Sequence, residues 1–245
     1  MRAYILMGSV ASGKTTLAKM LRCIFSRKRH ECRYVDININ HGFTYIVTRL
    51  LVFLTRYEYK SNYYLTLRFG NKALFCKYLS LMIILDMLYA PIKLFTSIIL
   101  YKLKNRITKS NRFCLIVDEF YFNAIVDYIY YMRFLCNDRS STITWLILKL
   151  FYRIVLPSSI ASLRGLQVTI INLQTKIENS IRGWLKRERI KEFDVMQIIF
   201  RSAGSKVIAK EVSSITKFNA VLYNIKNLKR DIINILQHVL ASESM

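Results

Sequence analysis

Apolar and polar positions change period several times along this chain, and the order of the changes predicts an architecture. Residues 3–7 form an apolar run of strand length, followed by a glycine- and serine-containing segment and then by Leu17, Met20, Leu21 and Ile24 at helical spacing. Residues 33–39 alternate like a half-buried strand. Helical length and periodicity cover 43–57 and 71–102, separated by a polar, tyrosine-rich connection around 60–64. Residues 113–117 are continuously apolar, bounded by Asn111-Arg112 and Asp118-Glu119, which predicts a central parallel strand. Helices are expected over 122–135 and 143–156, the second stopped by Pro157. A strand at 168–173, a basic helical region over 176–191, a strand at 220–223 and a helix over 225–240 complete the series.

Strands alternating with helices predict an α/β fold of three layers, a parallel β-sheet flanked by helices. Seven glycines and two prolines leave little material for a linker, so residues 1–245 read as a single domain, with 42–110 as a mainly helical excursion. Residues 79–100 are apolar enough to resemble a membrane span, but they contain Asp86, Pro91 and Lys93. A charge near a bilayer centre costs about 2.5–3.5 kcal/mol, so the expectation is a buried or half-buried helix pair broken at Pro91.

Composition narrows the function classes. Of 245 residues, 38 are Lys or Arg and 15 Asp or Glu, a formal charge of +23, while 53% are apolar. That apolar share excludes a disordered basic tail. The charge implies an anionic partner: nucleotide phosphate, nucleic acid or an anionic membrane surface. Five cysteines (Cys23, Cys32, Cys76, Cys114, Cys136) are odd in number and form no C-x-x-C pair. They are expected as reduced thiols in a cytoplasmic protein. His30, His41 and His238 do not cluster with them, so zinc is unsupported. Residues 1–7 lead into glycine-rich sequence without a small-residue cleavage site, and no secretory signal is expected.

The chemistry is carried by three segments. Gly8, Gly13, Lys14 and Thr15 fit G-x-x-x-x-G-K-[ST] without a mismatch, between a predicted strand and a predicted helix. In such a loop Gly8, Ser9, Val10, Ala11, Ser12, Gly13, Lys14, Thr15 and Thr16 surround the ATP phosphates; Lys14 reaches the β- and γ-phosphates and the Thr15 hydroxyl ligates Mg²⁺. Asp118 ends the apolar strand at the sheet edge where ligands of open α/β folds bind, and is the second candidate for Mg²⁺. Arg182, Lys186, Arg187, Arg189 and Lys191 form a basic run after the strand at 168. Arginines closing over a migrating phosphoryl group stabilise its charge, which makes Arg182, Arg187 and Arg189 catalytic candidates beside Lys14.

These segments, in this order, resemble the P-loop nucleoside monophosphate kinases, most closely the thymidylate kinase-like group, over nearly the whole chain. The resemblance implies a P-loop kinase fold, ATP and Mg²⁺ as cofactors, a small phosphorylated acceptor held by 42–110, a lid at 176–191, and a homodimer. Family members carry an acid in the loop and an arginine in Asp-Arg-Tyr, both serving the acceptor, where this chain has Val10 and Glu119; Ala11 replaces a loop glycine. A carboxylate at Glu119 repels an anionic acceptor. Arg49, Arg56, Arg68 and Lys77 are the candidate replacement cations, with Arg49 the first choice.

The leading expectation is therefore transfer of the ATP γ-phosphoryl to a nucleoside monophosphate or similar acceptor. The alternatives are an ATPase using Asp118-Glu119 for hydrolysis, and a nucleic-acid or membrane-surface binder on a nucleotide-binding scaffold. The last rests on Arg27-Lys28-Arg29-His30 and the acid-free series Lys102, Lys104, Arg106, Lys109, Arg112.

Overall fold

In a computed structural model the described residues are 2–28, 30–36, 42–56, 63–108, 113–118, 121–136, 142–155, 157, 161, 163, 166–188, 194–216 and 218–241. The strands are β1 (Arg2–Gly8), β2 (Glu31–Asp36), β3 (Phe113–Asp118), β4 (Gln167–Thr175) and β5 (Asn219–Ile225). They form an all-parallel sheet in the order β2-β3-β1-β4-β5. The helices are α1 (Lys14–Arg27), α2 (Phe43–Leu54), α3 (Tyr63–Gly70), α4 (Lys72–Thr108), α5 (Tyr121–Tyr130), α6 (Thr142–Leu150), α7 (Ile177–Glu188), α8 (Val195–Thr216) and α9 (Leu228–Ala241). Wide π-helical turns, Tyr131–Leu135 and Phe151–Val155, extend α5 and α6.

The pleat of the central strands explains the three layers. In β1, Tyr4 and Leu6 point to one face, where they join Leu17, Leu21 and Phe25 of α1 and Ile232, Ile235 and Leu236 of α9. Ala3, Ile5 and Met7 point to the other, into a larger core supplied by α3, α4, α5 and α8. With both faces covered, β1 and β3 read as unbroken apolar runs. The expected α/β architecture is thus the one found.

Three departures have physical reasons. Helix α3 falls on part of the expected polar connection; Tyr64, Leu65, Thr66, Leu67 and Arg68 are all buried, so it has no polar face to give it a helical period. Helix α8 escapes the hydrophobic pattern because much of its buried face is polar: Gln197, Arg201 and Ser205 point inward. Helix α4 is not broken at Pro91 but runs continuously for 37 residues. Met82, Ile83 and Met87 before the proline and Leu94, Ile98 and Tyr101 after it are buried together, and that packing offsets an interior proline's cost of about 3 kcal/mol.

The cysteines also depart from expectation. Cys76 of α4 and Cys136, just beyond the π turn after α5, form a disulfide with Cα atoms 5.4 Å apart. Their separation of 60 residues gave no sign of the pairing, which depends on α4 meeting the end of that turn. Cys23, Cys32 and Cys114 lie outside that disulfide.

Candidate functional site

The loop between β1 and α1 is shaped by backbone requirements. Gly8 has φ +128°, and a Cβ there would stand 1.8 Å from the Leu173 carbonyl oxygen of β4. Gly13 has φ +91°, in the left-handed region, and immediately precedes α1. The Ser9 N–H donates to Leu173 O at 3.0 Å, and the Thr175 N–H donates to Ser9 Oγ at 3.1 Å, so the loop is anchored to β4. Lys14 is buried; its ammonium donates to Ser9 O at 2.8 Å and Gly8 O at 3.4 Å, which lays the charge across the loop. Ser12 Oγ is buried with no hydrogen-bond partner among the described residues. Thr15 and Thr16 are exposed in the first turn of α1, whose free N–H groups favour an anion.

The basic helix α7 lies against this loop. Ser180 Oγ donates to Val10 O at 2.8 Å, and a Cβ on Gly183 would stand 2.5 Å from that of Ala11. Arg182, the neighbour of Gly183, is exposed. Arg187 belongs to α7 but its side chain is outside the described residues, as are Arg189, Lys191 and Glu119. Val10 is buried in the core on the α5 and α8 side of the sheet.

Asp118 ends β3 beside β1, level with Leu6, and is buried; the Tyr34 hydroxyl of β2 donates to its Oδ2 at 2.9 Å. Its register partner on β2 is Asp36, which sequence reasoning passed over. The alternation read over 33–39 put Asp36 inside its strand rather than at the end, so it lacked the strand-end signal that marked Asp118. Adjacent parallel strands are about 4.8 Å apart, so two carboxylates share one end of the β2–β3 pair beside the phosphate loop. Asn123 of α5 is buried, and neither its amide nitrogen nor its amide oxygen has a partner among the described residues.

The candidate acceptor cations scatter. Arg49 is exposed on α2, its guanidinium carbon 5.9 Å from the Tyr63 ring centroid; Arg56 is exposed just beyond α2, and Lys77 is exposed on α4 over Tyr78. Arg68 alone is buried, and it serves a polar network between α3, α5 and α8. It donates to Gln197 Oε1 at 2.5 Å and Asp194 Oδ2 at 2.7 Å; Tyr130 OH donates to the same Asp194 oxygen at 2.6 Å. Gln197 Nε2 donates to Tyr131 OH at 2.6 Å and Asp127 Oδ1 at 3.2 Å, and Arg201 pairs with Asp127 at 3.2 Å. Burial pushes the Tyr131 phenol up to about 12, against the opposing pull of Arg68. Burial works to lower the Arg68 pKa, but the surrounding phenols and carboxylates outweigh it and raise the value.

The loop fits nucleotide phosphates: Gly8 has no room for a side chain against the β4 backbone, Gly13 holds a left-handed backbone, an orphaned hydroxyl and a lysine line the loop, and a helix begins at it. Thr15 and Asp118 are oxygen donors of the kind Mg²⁺ takes, and among the described residues there is no cluster of His, Cys, Asp and Glu that would hold a metal by protein groups alone.

The fold and loop define the class: the chain has the P-loop kinase fold. No family model and no curated sequence matches it. Solved structures of a deoxyadenosine kinase from M. mycoides do, each covering 98% of this chain and 99% of that one. The form with products dCMP and a flexible dCDP bound has a TM-score of 0.59 at 13% identity. The form with bound dATP gives 0.58 at 12%, and the form with bound dCTP 0.59 at 14%. Likeness at this identity is a likeness of fold, and it singles out no thymidylate kinase group.

Proposed function

We propose that the chain transfers the γ-phosphoryl group of ATP to the hydroxyl of a small neutral acceptor, a nucleoside of the deoxyadenosine class. The observation that carries this is the placement of Asp36 and Asp118 in register at the strand ends beside the phosphate loop. Two carboxylates there disfavour an anionic acceptor and suit a hydroxyl that must give up a proton. The likeness in fold to a deoxyadenosine kinase supports the same choice.

In this scheme the acceptor oxygen bonds to the γ-phosphorus as the bond to ADP breaks, and the hydroxyl proton passes to Asp36. Lys14, Arg182 of the basic helix, and Arg187 and Arg189 of the same basic run are the cations assigned to the negative charge that spreads over the migrating group. Mg²⁺, when bound through Thr15 and Asp118, neutralises phosphate charge. Asn123, with a donor and an acceptor in one amide, is the buried group suited to a base edge.

A nucleoside monophosphate acceptor, implied by the resemblance to the monophosphate kinases, is the second reading, favoured by the cations of α7. Transfer from γ-labelled ATP to a panel of nucleosides, monophosphates including thymidylate, and sugar phosphates separates the two. Nucleosides should accept, and Asp36→Asn should lower kcat by about a hundredfold while leaving ATP binding intact. Transfer to monophosphates alone would overturn the neutral-acceptor assignment. Hydrolysis indifferent to every acceptor would make the chain an ATPase.

A further inference from the structure

Helix α4 exposes an apolar stripe that the catalytic reading does not use. Leu88, Ile92, Phe95, Ile99, Leu103 and Ile107 recur every three or four residues and so share one face of the helix; Leu103 is 50% exposed and Ile107 82%. The opposite face is buried through Ile83, Met87, Leu94, Ile98 and Tyr101. Helix α2 meets α4 at the start of the stripe: Gly42 and Phe43 meet Tyr89 of α4 and Thr44 donates to Met82 O, and α2 in turn exposes Ile46, Leu50 and Phe53.

Among the described residues of α2, α3 and α4 the exposed charges are all positive. Arg49, Arg56, Lys77 and Lys102 are exposed on α2, just beyond it and on α4, and Lys93 lies over Tyr89. Between residues 63 and 108 the sole acid is Asp86, which is buried and accepts a hydrogen bond from Tyr128 OH. Glu31 of β2 is engaged by Lys104 of α4.

We propose that this face docks on an anionic lipid surface, with α4 lying along the interface rather than crossing it. Residues 72–104 are long and apolar enough to span by composition, but one side of the helix is committed to the protein core, with Asp86 on that side. An exposed apolar stripe flanked by Lys and Arg is the arrangement that enters the headgroup boundary and attracts anionic lipid. A second copy of the chain fits less well, because a self-paired face must be self-complementary, and among the described residues of α2, α3 and α4 the exposed charges it would bring together are all cations.

Flotation of the full chain with vesicles of phosphatidylcholine, with and without phosphatidylserine, tests the assignment. Binding should be at least about tenfold tighter with phosphatidylserine and should weaken with salt. Phe95→Glu with Ile99→Glu should abolish it while the melting temperature stays unchanged; should that pair fail to fold, Phe95→Gln with Ile99→Gln takes its place. Lys77→Glu with Lys102→Glu should remove the preference for phosphatidylserine. Absence of flotation at low salt, flotation indifferent to the stripe substitutions, or a dimer that those substitutions convert to monomers without any vesicle binding would overturn it. Binding of DNA or RNA without binding of vesicles would overturn it as well.

Discussion

Gly183 of α7 and Ala11 of the phosphate loop approach so closely that a Cβ on the glycine would stand 2.5 Å from the alanine Cβ, inside the distance at which real side-chain carbons meet. This contact, with the Ser180–Val10 hydrogen bond beside it, holds the basic helix against the loop. In an open helix Gly→Ala gains up to about 1 kcal/mol. Gly183→Ala should instead displace α7, weakening nucleotide binding and lowering transfer. Adding Ala11→Gly should restore both, since it removes the carbon in the way and also suits a residue held at φ 54°. A double-mutant cycle on ATP affinity and kcat reads the coupling.

Lys14 spans the loop through Gly8 O and Ser9 O. Lys14→Ala should lower kcat by about a hundredfold or more, the scale on which removal of one charge-stabilising group acts. The far-ultraviolet circular dichroism should be unchanged. Transfer at the normal rate would remove the loop from the chemistry.

Arg68 separates structure from acceptor binding. Its guanidinium satisfies Gln197 and Asp194, so Arg68→Ala should cost about 3 kcal/mol in denaturant unfolding, toward the lower end for a broken buried pair because the Asp194 side chain stays 20% exposed. A role in holding the acceptor would instead raise KM and leave unfolding unchanged.

Asp231 accepts the N–H groups of Asn227 at 2.8 Å and Lys226 at 2.7 Å at the start of α9. These bonds hold its carboxyl below the ordinary carboxylate value. Because the folded pKa is the lower one, its contribution is present above the unfolded value of about 3.9 and is lost as pH falls through the folded one. Asp231→Ala should therefore lower the melting temperature at neutral pH, and the difference from the parent should shrink below about pH 4.

Sequence by itself determined the strand-loop-helix order around Gly8 to Thr16, the parallel α/β architecture and the strand that ends at Asp118, because apolar runs, periodicity and a glycine pattern are local properties of the chain. Its limits are equally specific. Arg68 read as one of four candidate cations, behind Arg49, and only the folding of α3 onto α8 set it against Asp194 and Gln197. Asp36 gained meaning from its register with Asp118, a relation between strands far apart in sequence. Cys76 and Cys136 became a pair where α4 meets the end of the turn after α5. Pro91 broke nothing, because burial on both sides of it outweighed a local penalty. In each case the deciding energy is a contact between distant segments, which the tertiary structure alone supplies.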